Sequence, residues 1–262
     1  MAALPDTDVI LFYDIPSSTP STAWSPNTWK TRYALNLKRL PYRTVWVEYP
    51  DIAALLQSFG HAPTEPGTPT PYTLPAIFDP RTQRFVAESA RIAAYLDDTY
   101  PATPALSPKP LRPFQAAFQH AFATTVQPPI LPLFLPRTHP LLQPASQPYF
   151  RRTREHMFRA ALEEICPPPA HAQQWAAIER AFGVAAGWLD AAGDGLDAGD
   201  ARATLLGEGK LTHADLSVAG WLVWMRIVAG RESAEWRAVE GWHGGRWKKL
   251  LDVVEPWSDC SR

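Results

Sequence analysis

The stretch Leu74-Pro75-Ala76-Ile77-Phe78-Asp79-Pro80-Arg81-Thr82-Gln83-Arg84-Phe85-Val86-Ala87-Glu88-Ser89 organises the first hundred residues. Leu74–Phe78 reads as a strand, Asp79–Thr82 as a turn and Arg84–Val86 as a further strand. Glu88-Ser89 then opens a helix to about Tyr100, with Ile92, Tyr95 and Leu96 at helical spacing. Pro75 directly follows the residue that opens a strand and cannot donate to a central ladder. It is therefore either a trans residue at a strand edge or a cis-proline that turns the preceding backbone toward a ligand.

Toward the N-terminus, Val9–Tyr13 is a β-prone run ending at Asp14, followed by a loop through Pro16–Pro20. Ser25-Pro26 is the composition of an N-cap with proline at the first helical position, and Trp29, Tyr33, Leu35 and Leu37 continue the helix. Thr44–Val47 is another strand, and Asp51 caps a helix to about Phe59. Gly60–Tyr72 carries four prolines and reads as a loop. Residues 1–100 thus predict the order β-α-β-α-β-β-α. Between Pro101 and Pro113 proline recurs every two to four residues, predicting a stiff extended linker and a domain boundary. Residues 114–262 are expected to be all helical: Phe114–Val126, a proline-rich interruption to Pro148, then Tyr149–Ile165, Gln174–Ala192, Thr212–Val228 and a short helix at Trp247–Val254. Trp175, Ile178, Phe182, Ala185, Trp188 and Leu189 share one face.

Of 262 residues 28 are proline, and all but one of these lie before residue 170, which pushes long regular helices toward the C-terminal half. Disorder does not follow, because 46% of residues are hydrophobic and 11 are tryptophan, enough to build a large core. A net charge of −1 gives no general reason to bind nucleic acid or acidic lipid. The dense basic cluster Arg151, Arg152, Arg154 reads as the solvated face of a helix. Cys166 and Cys260 form no CxxC pattern, so neither a disulfide framework nor a metal site is expected. Met1–Asp8 has acids where a signal peptide needs positive charge, and the apolar run Leu216–Met225 is too short to span a bilayer. A cytoplasmic protein with no membrane partner is the expectation.

Four local signals bear on chemistry. Ser25 places a hydroxyl at a helix N-terminus, which is either a structural cap or a group that stabilises a negative charge such as a ligand thiolate. Leu74-Pro75 is the second, with both readings given above. Glu88-Ser89 puts an acid and a hydroxyl at a helix start, most simply a capping signal. Thr212-His213-Ala214-Asp215 is a capping box with Asp in place of the usual Glu or Gln, and its role is structural.

In order and spacing these signals resemble a cytosolic glutathione transferase, with a thioredoxin-like N-terminal domain and an all-α C-terminal domain. Ala23–Arg32 together with Val45–Ile52 is similar to the etherase-like FuA class of the fungal enzymes. The resemblance implies that Ser25 hydrogen-bonds the glutathione sulfur and that Asn27 helps hold the thiolate or a polar substrate atom. It implies that Leu74 pairs its backbone with the cysteinyl part, presented by a cis Pro75, and that Glu88 and Ser89 bind the γ-glutamyl end. His61 would meet the glycyl carboxylate. The loop between Asp14 and Pro26 is longer than in many transferases, which leaves Asn27 or a backbone amide as the alternative to Ser25. A hydrophobic or aromatic second substrate is expected against Trp24, Phe118 and Phe122, the two phenylalanines being otherwise ordinary core residues. The apolar, proline-rich Pro128–Pro148 is expected to fold over the site as a wall or lid. The resemblance implies a homodimer, glutathione as co-substrate, no metal, and activity on hydrophobic electrophiles or peroxides, with ether cleavage or non-catalytic binding of aromatic compounds as further readings.

Overall fold

The N-terminal sheet is built around one strand that is buried along its whole length. In the computed structural model, which describes residues 5–191, 204–206 and 210–262, β1 (Ile10–Asp14) lies between two neighbours. The chain continues through α1 (Pro26–Leu37), β2 (Tyr42–Trp46), a single 3-10 turn at Tyr49–Asp51, α2 (Ile52–Ser58), β3 (Ala76–Asp79), β4 (Arg84–Ala87) and α3 (Ser89–Thr99). The strand order is β2-β1-β3-β4, with β1 parallel to β2 and antiparallel to β3, and β3 antiparallel to β4. This is the expected β-α-β-α-β-β-α succession. Side chains on β1 alternate between faces: Phe12 lies under the Arg32 guanidinium of α1 at 5.0 Å, whereas Tyr13 meets Phe85 at 5.6 Å and Phe59 at 6.3 Å.

The strand that was expected from Leu74 starts at Ala76, because Pro75 has no N–H for the ladder. The Leu74–Pro75 bond is cis, and the Pro75 carbonyl accepts from Glu88 N at 3.2 Å. Residues 101–113 are not an extended rod, in contrast to the proline-based expectation. They run through turns and a 3-10 turn at Lys109–Leu111, and polar contacts fasten them. The Asp97 carboxylate accepts from Leu106 N and Ser107 N, Lys38 Nζ donates to Thr103 Oγ1 and the Pro104 carbonyl, and Leu106 O accepts from His213 N.

Among the described residues the second half is built from helices: α4 (Arg112–Thr125), α5 (Gln127–Thr138), α6 (Gln147–Phe158), α7 (Leu162–Ile165), α8 (His171–Asp190), α9 (His213–Ala229) and α10 (Ala234–Val254). The expected α8 end at Ala192 lies outside the described residues. Two differences from the sequence expectation have a physical cause. Pro128–Pro148 is largely helical, since α5 accommodates Pro132 and Pro136 in its interior. Pro128, Pro129, Pro132 and Pro136 fall on one side at 3.6-residue spacing, so the missing donors and bulky rings share one partly exposed face. Ile130, Leu133 and Phe134 are buried on the other, and Gln174 Nε2 of α8 donates to the Pro129 carbonyl. The C-terminal helix begins at Ala234 rather than near Trp247, and Trp242–Gly245 break it with non-helical backbone.

The helical core is aromatic: Trp175 and Trp242 lie 5.3 Å apart, Phe182 and Trp247 5.0 Å, and Trp221 and Trp224 5.2 Å. The Thr212–Asp215 capping box forms, with Thr212 N donating to Asp215 Oδ2 at 2.7 Å and Asp215 N to Thr212 Oγ1. Thr212→Ala is expected to cost about 1–2 kcal/mol, read as a lowered urea midpoint with an unchanged slope.

Candidate functional site

Ser25 ends a loop that both halves of the chain hold in place. Ser17 Oγ donates to Thr22 O, Ser18 N donates to Leu141 O at 2.8 Å, and Gln143 Nε2 donates to Ser17 O. The loop therefore rests on the helical half, and Ser25 is delivered to the seam, 4% exposed. It is the N-cap of α1, with Pro26 at the first helical position, yet its hydroxyl makes no capping bond. A buried hydroxyl at the positive end of a helix dipole is thus left free for a ligand.

Two adjoining cavities share Ser25, Asn27, Tyr49 and Arg154 in their walls. The smaller, of about 50 Å³, is closed by Ile15, Ile52 and Leu74. The larger, of about 420 Å³, is walled by Trp24, by Phe118 and Phe122 of α4, by Leu131 and Leu135 of α5, and by Trp221 and Trp224 of α9. Of the residues singled out from sequence, Ser25, Asn27, Leu74, Trp24, Phe118 and Phe122 are brought together here. Phe118 and Phe122 are also packed, against Trp188 and Phe182 respectively. Pro75, Glu88, Ser89 and His61 line neither cavity. Glu88 holds a left-handed φ of 72° behind Pro75 and pairs with Arg91 at 3.3 Å, Ser89 opens α3, and His61 sits edge-on to Phe85.

The proline-rich stretch contributes a helical wall rather than a loop. Leu131 and Leu135 face the cavity, whereas Leu133, Phe134 and Leu142 are core.

Several residues of the site were not legible from sequence. The basic cluster divides: Arg151 pairs with Glu155 and Glu163, Arg152 lies over Tyr149, and Arg154 turns inward over Phe150 at 4.6 Å and Tyr49 at 5.7 Å. No local signal set Arg154 apart: three residues from Arg151 it falls on the same side of α6, and only the rings of Phe150 and Tyr49 draw it inward. Lys30 of α1 also lines the larger cavity, its Nζ donating to Asn27 Oδ1 at 2.9 Å. Burial pulls Lys30 down to about 8, against the opposing charge of Glu65. Burial pushes the Glu65 carboxyl up, against the pull of Arg154. His213 is fully buried, accepts from Gln119 Nε2 at 2.6 Å, and is held down to about 3 by burial and by the Lys30 charge, so it is neutral.

Chemically, the smaller cavity offers a hydroxyl, an amide and a guanidinium in its wall, and the larger sets aromatic and aliphatic side chains beside the charged Lys30 and Glu65. Together the mixed sheet, the helical half and this seam define a two-part protein with a thioredoxin-like first half. The N-terminal-domain model of the glutathione S-transferases matches residues 24–99 and their C-terminal-domain model matches residues 113–257. The chain belongs to the glutathione S-transferase family. It is similar to a glutathione S-transferase of Ceriporiopsis subvermispora solved in complex with glutathione, at 44% identity over 96% of this chain and 98% of that one, with a TM-score of 0.90. Glutathione transferase GSTFuA3 of Phanerochaete chrysosporium is 42% identical over 97% of this chain and 99% of that one, with a TM-score of 0.87. A curated relative, the glutathione S-transferase-like protein ustS of Aspergillus flavus, is 36% identical over 60% of this chain, and the match spans 59% of that relative's length. Among the described residues no helix is long and apolar enough to cross a membrane.

Proposed function

We propose that the protein is a glutathione transferase in which the Ser25 hydroxyl donates a hydrogen bond to the glutathione sulfur and holds it as the thiolate. The observation that carries this reading is the buried, uncapped Ser25 hydroxyl at the start of α1, in the wall shared by both cavities. The cysteinyl unit of glutathione occupies the smaller cavity, with the Leu74 backbone beside it in the manner of an added strand. Asn27 is the second polar group at the sulfur. Pro75, Glu88 and Ser89 extend the site toward the γ-glutamyl end, and His61 toward the glycyl carboxylate. A hydrophobic or aromatic electrophile, or a peroxide, enters the larger cavity against Trp24, Phe118 and Phe122. In this reading residues 1–100 hold glutathione, 101–113 join the halves and 114–262 supply the second-substrate wall. A cytoplasmic homodimer acting on phenolic or wood-derived compounds in detoxification belongs to the same reading.

Catalysis then comes from thiolate stabilisation and proximity. A hydrogen bond to a charged group contributes about 1.5–3 kcal/mol, so Ser25→Ala is expected to lower kcat with 1-chloro-2,4-dinitrobenzene by roughly 10- to 100-fold. The KM for glutathione should move by no more than about twofold, since binding energy lies along the rest of the peptide. An unchanged rate removes Ser25 from the mechanism, and Asn27→Ala then becomes the deciding variant.

The breadth of the apolar wall favours a second reading, in which the larger cavity stores aromatic ligands. Thermal-shift measurements with phenolic compounds, with and without glutathione, separate the two: strong stabilisation by compounds that are never consumed supports storage.

A further inference from the structure

Lys30 is the feature of the larger cavity that thiolate stabilisation leaves unused. It stands one helical turn from Asn27, with Ser25 just before that turn, and it faces the same space as Phe118 and Trp221. Its ammonium is not consumed by the protein. Nζ donates to a neutral amide oxygen of Asn27, and no carboxylate among the described residues forms a salt bridge with it. Glu65 stands in the same cavity wall and attracts the ammonium, but no ion pair joins the two among the described residues, and the nearby His213 is neutral, so the ammonium keeps a free side for an anion. The other cation in the wall, Arg154, is already spread over the rings of Phe150 and Tyr49.

The stem of Lys30 is also held. A Cβ built on Gly220 would stand 3.6 Å from Lys30 Cγ, so α9 backs the side chain closely and limits where the ammonium can go. Lys30 is partly buried beside the rings of this wall, so its ammonium has lost part of its hydration, and an entering anion restores the lost stabilisation more effectively there than in open water.

We propose that Lys30 is the specificity-determining residue of the larger cavity, selecting aromatic second substrates that carry a carboxylate or an ionisable phenolic oxygen. This rests on the transferase reading above and deepens it. The aromatic ring is taken by the apolar wall of Phe118 and Trp221, and the anionic oxygen by Lys30 Nζ. Lys30 does not touch the reacting sulfur; it orients the electrophile by its acidic end.

The test uses the full-length protein at saturating glutathione with 4-chloro-3,5-dinitrobenzoate and its methyl ester, two electrophiles that differ in charge at one end. In each the thiolate adds to the ring carbon bearing chlorine, the C–S bond forms, the C–Cl bond breaks and chloride leaves. The readout is the ratio of KM for the acid to KM for the ester. Lys30→Met and Lys30→Gln are both expected to raise that ratio about tenfold, and Lys30→Arg, which keeps the charge, to bring it back to within about threefold of the parent protein. A ratio within twofold of the parent in both neutral variants overturns the proposal, as does an equal rise in Lys30→Arg. If the parent protein consumes neither compound, the transferase reading fails separately. Quenching of tryptophan fluorescence then yields the same acid-to-ester ratio as Kd values, and an unmoved ratio again overturns the role of Lys30.

Discussion

Replacing Arg32 with methionine is expected to lower the unfolding free energy by about 3–5 kcal/mol, because it strands a buried carboxylate. The Arg32 and Asp14 side chains are 0% and 1% exposed, with NH2 and Oδ2 2.7 Å apart. NH1 also donates to Thr44 Oγ1 and to the Tyr42 hydroxyl, and the guanidinium lies over Phe12 and Trp46. Methionine fills much of the volume but returns none of these donors. Burial already pushes the Asp14 carboxyl up, with Arg32 as the chief opposing influence. Without Arg32 the folded-state value rises further above the unfolded one. The unfolded chain then gives up that proton first as pH climbs, so the variant's deficit should be larger at neutral pH than just above the ordinary carboxylate range. Urea titrations at both pH values measure this. A deficit below about 1 kcal/mol at neutral pH, or one that grows on acidification, would refute the account. The double variant Asp14→Asn with Arg32→Met should recover part of the loss, since the pair is coupled.

Gly220→Val carries the second large effect, and this one reaches the site. Glycine inside a helix costs about 1 kcal/mol relative to alanine, so its place mid-way along α9 calls for a reason. That reason is close approach: a Cβ at Gly220 would meet the Pro26 carbonyl oxygen at 2.6 Å, Trp29 Cβ at 3.5 Å and Lys30 Cγ at 3.6 Å. The first contact is with backbone, which cannot rotate away. Valine forces α9 from the start of α1, at a cost of roughly 3 kcal/mol, and moves Ser25 and Lys30 with it. Both a lowered Tm and a fall in kcat/KM are expected at temperatures where the variant is still folded. Gly220→Ala should show the same signs at smaller size. A valine variant with parental Tm and parental activity would show that the two helices can part without consequence.

Much of the N-terminal half was legible because its determinants are local. The hairpin of β3 and β4, the N-cap at Ser25-Pro26 and the helix start at Ser89 are each written within a few neighbouring residues, and they form there, β3 starting two residues later than its pattern suggests. Proline was a poor guide where its effect depends on context. In α5 four prolines gather on one face, while Ile130 and Phe134 bury the opposite one, and packing outweighs the lost backbone bonds. In residues 101–113 the stiffness comes from Asp97 and Lys38 contacts that composition does not record.

By itself, then, the order of strands and helices in residues 1–100, the resemblance to glutathione transferases, and the polar residues at the start of α1 were determined by sequence, because periodicity and capping act over a few residues. Only the tertiary structure decided that Ser25 keeps its hydroxyl free of the cap, that Arg154 leaves its basic neighbours to enter the seam, and that Lys30 lines the larger cavity with no salt bridge among the described residues. Each of these depends on residues more than eighty positions apart in the chain being brought within contact, and on which of them keep or lose access to water when they meet.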